Sequence, residues 1–269
     1  NPLVAGHGAA ILREHGIELT SGVLEAEARH LNRIFIKYIT THRPWVVLKW
    51  AMTLDGRIAA ASGDSKWVSG EQSRRLVHEL RGRYMGIVAG AGTVLADDPM
   101  LNCRVEGMRQ PVRIIVDSKA SMPADCRLVR TASEYRTVLA HTDSASVRRL
   151  EALSFRGVET LLCRCSADGM VDLGDMLGKL GAMGLDSVLV EGGGELNWSM
   201  VRDGLADEFY VFAAPKLVGG RAAKGPVGGE GFGAMADACG VRIESVRMLG
   251  EDILIHGFSS KYDIRCLQE

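Results

Sequence analysis

The sequence lacks the long apolar runs and the excess charge that mark several protein classes. No apolar segment approaches the roughly 18 to 20 residues that a transmembrane helix needs. The first residues, Asn-Pro-Leu-Val-Ala-Gly-His-Gly, do not form a signal peptide. A formal net charge of −1 gives no field that attracts nucleic acid or anionic lipid. We therefore expect a cytoplasmic protein that binds neither nucleic acid nor membrane.

The cysteines and histidines lack the spacings of common metal sites. None of the cysteines forms a Cys-x-x-Cys pair, and the seven histidines form no H-x-x-x-H or H-E-x-x-H arrangement. A G-x-S-x-G nucleophile elbow is also missing. We predict no metal ligand and expect reduced thiols, as in other cytosolic proteins. The six cysteines are Cys103, Cys126, Cys163, Cys165, Cys239 and Cys266.

The 269 residues are enough for one large domain, or for one domain and a fragment of another. Helical spacing predicts one helix over 9–15 and a second over 24–38. The stretch from Thr40 to Pro44 breaks the second helix, because proline restricts the residue before it. We place a domain boundary there, between residues 1–43 and 44–269.

After Pro44, short apolar runs alternate with helical patterns, which predicts a mainly parallel α/β sheet. Gly250-Glu251 is typical of a hairpin, so the last two strands are expected to be antiparallel. Ser69 is the predicted cap of the first helix in this part. The predicted strands are 45–50, 87–89, 112–116, 137–140, 187–190, 208–214, 241–249 and 252–257; the predicted helices are 71–83, 144–153, 173–180 and 195–202.

The segment Val188-Leu-Val-Glu-Gly-Gly-Gly-Glu-Leu196 passes from a buried strand through three glycines into a helix. Glycine allows close approach of the backbone to a ligand, and the amides that open a helix attract anions. This pattern favours a nucleotide pyrophosphate, with a plain tight turn as the alternative. Glu191 ends the strand, where α/β sheets bind ligands. Its carboxylate either grips sugar hydroxyls or is a solvated or capping group.

A second glycine segment, Gly90-Ala-Gly-Thr-Val-Leu-Ala-Asp-Asp-Pro99, also follows a strand. Leu95 stands where the G-x-G-x-x-G fingerprint needs its third glycine, and Asp-Asp-Pro breaks any helix straight afterwards. The sequence therefore excludes a Rossmann site and predicts an irregular ligand-binding loop.

Lys49 lies inside a β-prone apolar run, where an unpaired ammonium group is costly to bury. It either reaches a carboxylate or a ligand, or it lies on an exposed face. Asp55-Gly56 predicts a turn soon afterwards. The next segment, 62–67, is a polar loop whose Trp67 can cover a ring.

The sequence Asp117-Ser-Lys119 ends another strand. In dinucleotide sites an acidic side chain at this position accepts a hydrogen bond from the ribose 2′-hydroxyl, whereas a hydroxyl or basic group favours a 2′-phosphate. The order Asp-Ser-Lys favours NADP, with a plain polar strand end as the alternative. Arg81, Arg83 and Arg104 are each suited to a phosphate, but a surface charge is the simpler interpretation of any one alone.

Six segments together resemble the reductase domain of the bacterial bifunctional riboflavin-biosynthesis deaminase/reductase. They occur in that family's order, which is more specific than one glycine loop. The opening residues resemble the end of its deaminase domain, but the zinc signature, His-x-Glu with Pro-Cys-x-x-Cys, is missing from this chain. Deamination is therefore not assigned, whether that domain was removed or is absent, and zinc is expected only with a complete deaminase domain. The segments are 49–57, 62–67, 92–101, 113–118, 190–194 and 214–219.

The resemblance implies a dihydrofolate-reductase-like fold, with a mixed, mainly parallel sheet flanked by helices and preceded by a helical remnant of a deaminase domain. It implies NADPH as the cofactor and a phosphoribosylamino-pyrimidine as the substrate. By matching position, NADPH would contact Ala51, Trp67, Thr93, Asp97, Ser118, Gly193, Gly194, Glu195, Leu196, Asn197, Trp198 and Ser199. The substrate would contact Ser65, Arg81, Leu101, Arg104 and Glu191.

The reaction that the resemblance implies is reduction of the ribosyl group of 5-amino-6-(5-phosphoribosylamino)uracil to ribityl by hydride transfer from NADPH. Lys49 would contact the sugar oxygen that gains charge as the ring opens, and Glu191 would fix the sugar hydroxyls. Two alternatives are another dihydrofolate-reductase-like NADPH reductase and a non-catalytic nucleotide-binding module. The apolar closing strands and the resemblance also favour a homodimer or a larger homo-oligomer.

Overall fold

The computed structural model describes Val4 and residues 6–262. The chain opens with three short helices, where we predicted two. Asn32, at φ −95° and ψ 13°, separates the second helix from the third. Its side-chain amide donates to the Ala28 carbonyl at 2.8 Å, and such local bonds compete with a continuous helix. The three are α1 (His7–Glu14), α2 (Glu25–Leu31) and α3 (Arg33–Thr41).

The rest of the described chain builds a nine-stranded sheet with helices on both faces. Its strands are β1 (Trp45–Thr53), β2 (Gly86–Gly90), β3 (Val112–Val116), β4 (Thr137–His141), β5 (Glu159–Leu162), β6 (Ser187–Val190), β7 (Glu208–Ala214), β8 (Val241–Leu249) and β9 (Asp252–Ser259). Its helices are α4 (Glu71–Arg83), α5 (Ala91–Asp97), α6 (Arg127–Arg130), α7 (Val147–Ser154), α8 (Leu173–Ala182) and α9 (Gly194–Arg202).

The strand order is β5-β4-β3-β2-β6-β1-β7-β9-β8. Every pair from β5 to β7 is parallel, whereas β9 runs antiparallel to both β7 and β8. The predicted mixed, mainly parallel sheet and its closing hairpin are confirmed. The central strands are apolar runs buried on both faces, which is what a parallel sheet between helices requires.

Two predictions about single elements are wrong. The segment after β2 is not an irregular loop, because α5 occupies seven of its residues before Pro99 ends the element. Asp98 then turns the chain with φ 39°. The predicted cap of α4 is also wrong, since the helix begins after Gly70 rather than Ser69. The carboxylate of Asp252, from distant β9, accepts the Gly70 amide at 2.8 Å and so replaces a local cap.

Alternate residues of the central strands enter different cores. Val46 and Leu48 of β1 pack with Val188 and Val190 of β6 on the face that α8 and α9 cover. Their neighbours, such as Val47 and Leu189, pack on the opposite face with residues of α4. Side chains alternate along a strand, so the residues that follow Leu48 and Val190 turn toward α4.

Helix α3 is bound to the amino-terminal ends of β1 and β7 by buried charges. Arg33 donates to both carboxylate oxygens of Glu208, at 3.1 and 3.2 Å. Glu208 is 0% exposed and also accepts from Trp45 Nε1 at 2.7 Å and from the His256 ring at 2.8 Å. Burial alone would raise the pKa of Glu208, but His256 and Arg33 hold it below its ordinary value. Helix α3 is thus packed on the sheet, while the domain boundary at 43 stays a prediction.

Among the described residues, no helix combines the length and the apolar character needed to cross a membrane. Five cysteines, all except Cys266, are free thiols in the described part of the chain. Cys266 lies outside it.

We expect Glu208→Ala to lower the free energy of unfolding by about 3–5 kcal/mol, because it leaves Arg33 buried without a counter-charge. Denaturant unfolding measures the loss. Glu159→Ala is the matched control: Glu159 also begins a strand and pairs with Arg136, but both side chains are nearly half exposed. Its loss should stay below about 1 kcal/mol, and equal losses in the two variants would contradict the role given to Glu208.

Candidate active site

Lys49 and Glu191 meet at the carboxyl ends of two neighbouring strands. Strands β1 and β6 pair in parallel with Leu48 opposite Val190, so the next residue of each lies beside the other. Lys49 Nζ is 3.4 Å from Glu191 Oε2, and both side chains are mostly buried, at 14% and 11% exposed. Of the two possibilities for Lys49, the structure has the ion pair and not the exposed face.

Arg81 reaches the same carboxylate from α4. Its Nε lies 2.6 Å from Glu191 Oε1 and its Nη2 lies 3.0 Å from Oε2, which is a bidentate ion pair. The third nitrogen, Nη1, donates to the Asn102 carbonyl at 3.2 Å. Glu191 is therefore neither a solvated nor a helix-capping group. Three elements, β1, β6 and α4, place one carboxylate between two cations.

The cations control the ionisation of this buried carboxylate. Burial alone would raise the pKa of Glu191, but Arg81 and Lys49 lower it to about 2. The pKa of Arg81 is raised in turn, since the attraction of Glu191 outweighs its own burial. Glu191 is thus a permanent anion at neutral pH, which can accept hydrogen bonds but does not exchange a proton there.

The segment 101–104 lies along α4 beside this cluster. Leu101 is 3% exposed with φ 48°, and the Arg104 side chain is exposed. His78 Nδ1 lies 3.2 Å from the Asn102 carbonyl, so two residues of α4 share that oxygen. The Cys103 thiol donates to the His78 carbonyl at 3.1 Å. The substrate residues predicted at 101 and 104 are thereby held against the helix that carries Arg81.

Sequence reasoning missed His78 and Asn102. His78 stands three residues before Arg81 on α4, a spacing that puts two side chains on one helix face. Asn102 is a polar residue between two positions that the resemblance had already marked. Both signals were present in the sequence, although neither is specific without the fold.

The start of α9 forms an open turn beside the start of α5. Strands β2 and β6 are neighbours, so the helices that follow them begin side by side. A Cβ atom on Gly193 would lie 3.9 Å from Thr93 Oγ1, which joins the two turns. A Cβ on Gly192 would lie 2.9 Å from the Leu196 Cβ, so only glycine fits there. Within the described chain no side chain caps α9, and its first amides remain available to an anion.

The comparisons with known proteins agree with this geometry. The model of the family described as the RibD C-terminal domain matches residues 44–255 of this chain.

The chain belongs to the RibD C-terminal domain family.

Curated relatives and a solved structure support the assignment. The riboflavin biosynthesis protein RibD of Actinobacillus pleuropneumoniae is 48% identical over 255 residues, which cover 95% of this chain and 67% of that protein. The 2,5-diamino-6-ribosylamino-4(3H)-pyrimidinone 5′-phosphate reductase of Methanothermobacter thermautotrophicus is 42% identical over 216 residues, covering 79% and 97%. Acinetobacter baumannii RibD, form 1, has a TM-score of 0.83 at 32% identity and covers 97% of this chain and 70% of its own.

This RibD C-terminal domain is a reductase of riboflavin biosynthesis with a dihydrofolate-reductase-like fold. The family, the fold and the enzyme class predicted from the resemblance are confirmed. The chain spans about two thirds, 67%, of the length of the first RibD relative. In the described part of the chain, no three His, Cys, Asp or Glu side chains are placed to hold a metal ion.

Several side chains predicted to face NADPH contact the loop 225–232 in the structure, and their contact with NADPH stays a prediction. The Asn197 amide donates to the Pro226 carbonyl at 2.8 Å, and the Trp198 ring meets Phe232 edge-on at 5.0 Å. The Glu195 carboxylate accepts the Gly229 amide at 3.2 Å. The Gly194 carbonyl accepts from Gly228, Leu196 packs on the core, and the Ser199 hydroxyl donates to the Glu195 carbonyl. These side chains fix the position of the turn, while the backbone amides at the start of α9 remain accessible to a ligand.

The remaining predicted residues lie around this turn. Ser118 is 4% exposed, and its hydroxyl accepts the Val171 amide at 3.0 Å. Ala51 lies opposite Phe212 of β7, two residues after Lys49 and on the same face of β1. Asp97 is exposed as the last residue of α5, and the Lys49 ammonium pairs with Glu191 rather than with Asp97 in the described structure.

Ser65 and Trp67 border a recess next to the end of β1. They line a cavity of about 140 Å³ together with Thr53 and Lys216. Trp67 is 65% exposed, and the Arg74 guanidinium lies 4.8 Å from its ring centroid. The aromatic side chain is thus presented at the rim of the recess, where a planar ligand can reach it.

The low pKa of Glu191 predicts a specific acid dependence of stability. The group has a lower pKa in the folded chain than its ordinary value of 4.5, so its ionised form stabilises the fold above about pH 4.5. That contribution, on the order of 3 kcal/mol, is lost as the pH falls toward about 2. Denaturant unfolding of the wild type and Glu191→Gln should show a free-energy gap that is constant above about pH 5 and narrows below it. A gap independent of pH down to about 2.5 would contradict the assigned ion pairs.

Proposed function

We propose that this chain reduces the ribosyl group of 5-amino-6-(5-phosphoribosylamino)uracil to ribityl, with NADPH as the hydride donor. The observation that carries the proposal is the buried cluster of Lys49, Arg81 and Glu191 at the carboxyl ends of β1 and β6. The uncapped glycine turn at the start of α9 follows β6 directly. A phosphorylated, hydroxyl-rich substrate and a dinucleotide suit these two features.

The turn between β6 and α9 fits the pyrophosphate of NADPH. Because Gly193 has no side chain, the space between its Cα atom and the Thr93 hydroxyl is open. The first backbone amides of α9 point out of the helix into the turn. Gly193, Gly194 and Thr93 would hold the pyrophosphate, and Ala51 and Trp67 would border the nicotinamide. When bound, NADPH supplies the hydride that reduces the sugar C1.

Lys49 and Glu191 have complementary tasks on the sugar. The Lys49 ammonium has three N–H donors, of which the Glu191 bond uses one. Another can donate to the ring oxygen of the ribosylamine as that oxygen gains charge on opening. Glu191 has room for about four acceptor contacts, and Arg81 and Lys49 occupy three of them. The remaining lone pair accepts from a ribose hydroxyl and sets the position of C1.

Arg104 is the better candidate for the substrate phosphate. All three nitrogens of Arg81 are already bonded, to Glu191 and to the Asn102 carbonyl. Arg104 is exposed and makes no hydrogen bond or ion pair within the described chain. A guanidinium group matches phosphate geometry well. Arg81 would then fix Glu191, while Arg104 receives the phosphate.

We expect Lys49→Ala to lower kcat by about 100-fold or more, because the oxygen that gains charge on ring opening loses its donor. Glu191→Ala should lose turnover as well, since the sugar is no longer fixed against the nicotinamide. Steady-state NADPH consumption with the ribosylamino-uracil phosphate measures both, and circular dichroism verifies that the variants are folded. Near-normal turnover in both folded variants would remove these roles.

The same assay separates the alternative functions. Rates are compared for the ribosylamino-uracil phosphate, its undeaminated diamino-pyrimidinone precursor and dihydrofolate. Turnover of dihydrofolate alone would identify another reductase of the same fold. Tight NADPH binding without turnover of any substrate would identify a non-catalytic nucleotide-binding module.

We also propose that the chain forms a homodimer through the outer face of β8 and β9. Register pairs Ile243 with Gly257 and Ser245 with His256, so Glu244 is an extra, bulged residue. The bulge keeps the apolar residues of β8 on one face of the sheet, the face that points away from α4. They are Val241, Ile243, Val246 and Met248, which are 40%, 52%, 62% and 61% exposed. A contiguous apolar face on an edge strand marks an association surface. In a homodimer, the same face of a second copy would cover it.

Val246→Asp should shift the chain to monomer, because it places a charge in the centre of that face. Ser245→Asp is the matched control, since its side chain points to the opposite face of the same strand. Sedimentation velocity over a concentration series measures the association state. Dimers in both variants, or a monomeric wild type, would contradict the proposed interface.

A further inference from the structure

Two cationic side chains and one carboxylate meet beside α4, and the charge of a third cation, Arg104, acts on His78 of the same helix. Lys49 and Arg81 contact Glu191, and Arg104 follows two residues after Asn102, whose carbonyl Arg81 binds. The positive charge exceeds the negative charge in this group, which favours an anion as its ligand. His78 lies inside the same group, and the proposed mechanism does not use it.

The ring of His78 is fixed through one nitrogen. Nδ1 bonds the Asn102 carbonyl at 3.2 Å, and a carbonyl only accepts, so Nδ1 carries a proton. In the described part of the chain, Nε2 has no hydrogen-bond partner. Cys103, next to Arg104, is tied to the backbone of His78 by its thiol. These bonds hold the imidazole beside Arg104 with its second nitrogen free.

We propose that His78 is a ligand of the substrate phosphate together with Arg104, and that its Nε2 takes up a proton when the phosphate binds. The inference rests on the phosphate position in the proposed function. The protonated Nε2 then donates to a phosphate oxygen, while Nδ1 keeps its bond to Asn102. Phosphate affinity and the protonation of one histidine become linked.

The electrostatics of the free chain agree with this exchange. Burial and the guanidinium groups of Arg81 and Arg104 lower the pKa of His78, against the smaller opposite effects of its bond to the Asn102 carbonyl and of Glu191. The imidazole is therefore neutral at pH 7 without ligand. A phosphate carries up to two negative charges, so its arrival outweighs the two guanidinium groups and favours the imidazolium form.

The first test follows the ring of His78 by NMR in protein labelled at histidine Cε1, with H78N assigning its signal. We expect saturating ribose 5-phosphate to raise the pKa of His78 above its value in the ligand-free protein. Ribose at the same concentration should leave that pKa unchanged. A pKa that stays constant or falls with ribose 5-phosphate bound would overturn the proposal.

The second test measures affinity for ribose 5-phosphate by calorimetry at pH 7. H78N keeps an N–H group that can reach the Asn102 carbonyl but has no atom at the Nε2 position. We expect about tenfold weaker binding, the effect of one charge-assisted hydrogen bond, with an unchanged unfolding midpoint. H15N is the matched control: His15 Nδ1 bonds the Ile11 carbonyl in the same way, at 2.8 Å, but His15 is exposed and follows the last residue of α1.

A third variant separates this inference from the proposed function. If R104A weakens ribose 5-phosphate binding and H78N does not, the inference about His78 fails and the phosphate position stands. If neither R104A nor H78N alters binding, or the wild type does not bind, the phosphate position fails together with the inference. Weaker binding in both variants, with H15N unchanged, supports both.

Discussion

The fold of this chain is organised around one buried carboxylate. Glu191 lies where β1, β6 and α4 converge, and Lys49 and Arg81 reach it from two different elements. A buried anion is stable only when its counter-charges are in place, so the parallel register of β1 and β6 and the position of α4 must be satisfied together. The same constraint leaves an anion and two cations at the carboxyl ends of the strands, where α/β proteins bind ligands.

A second buried carboxylate, Glu208, has a different task at the opposite end of the sheet. Arg33, Trp45 and His256 surround it, and it is 0% exposed, so it binds only groups of this chain. Glu191 keeps some exposure, at 11%, and lies next to an open turn. The parallel sheet thus separates a structural ion cluster at the amino ends of its strands from the cluster at the carboxyl ends, for which we propose contact with the substrate.

Much of the fold was predictable because it depends on local patterns. Continuous apolar runs mark strands buried on both faces, and β3, β6, β7 and β8 begin and end where predicted. β5 was not predicted, because its four residues, Glu-Thr-Leu-Leu, hold too short an apolar run to mark a strand; three of the four are exposed in the structure. The helix α5 was missed because the proline that follows it was taken as a barrier, although it stands past the last helical residue. The cap of α4 was unpredictable, because Asp252 comes from a strand 182 residues away from Gly70.

The sequence by itself determined most of the strands and helices after Pro44, the glycine turn at 192–194 and, through six ordered segments, the family. It also marked Lys49, Arg81 and Glu191 one at a time, but each of them could equally have been a solvent-exposed charge without a role in binding. Only the tertiary structure decided that these three form one ion cluster, that Asn197 and Trp198 support a loop, and that His78 stands beside Arg104. The reason is physical: an ion pair depends on distances between elements far apart in the chain, and a sequence pattern reports only the distances along it.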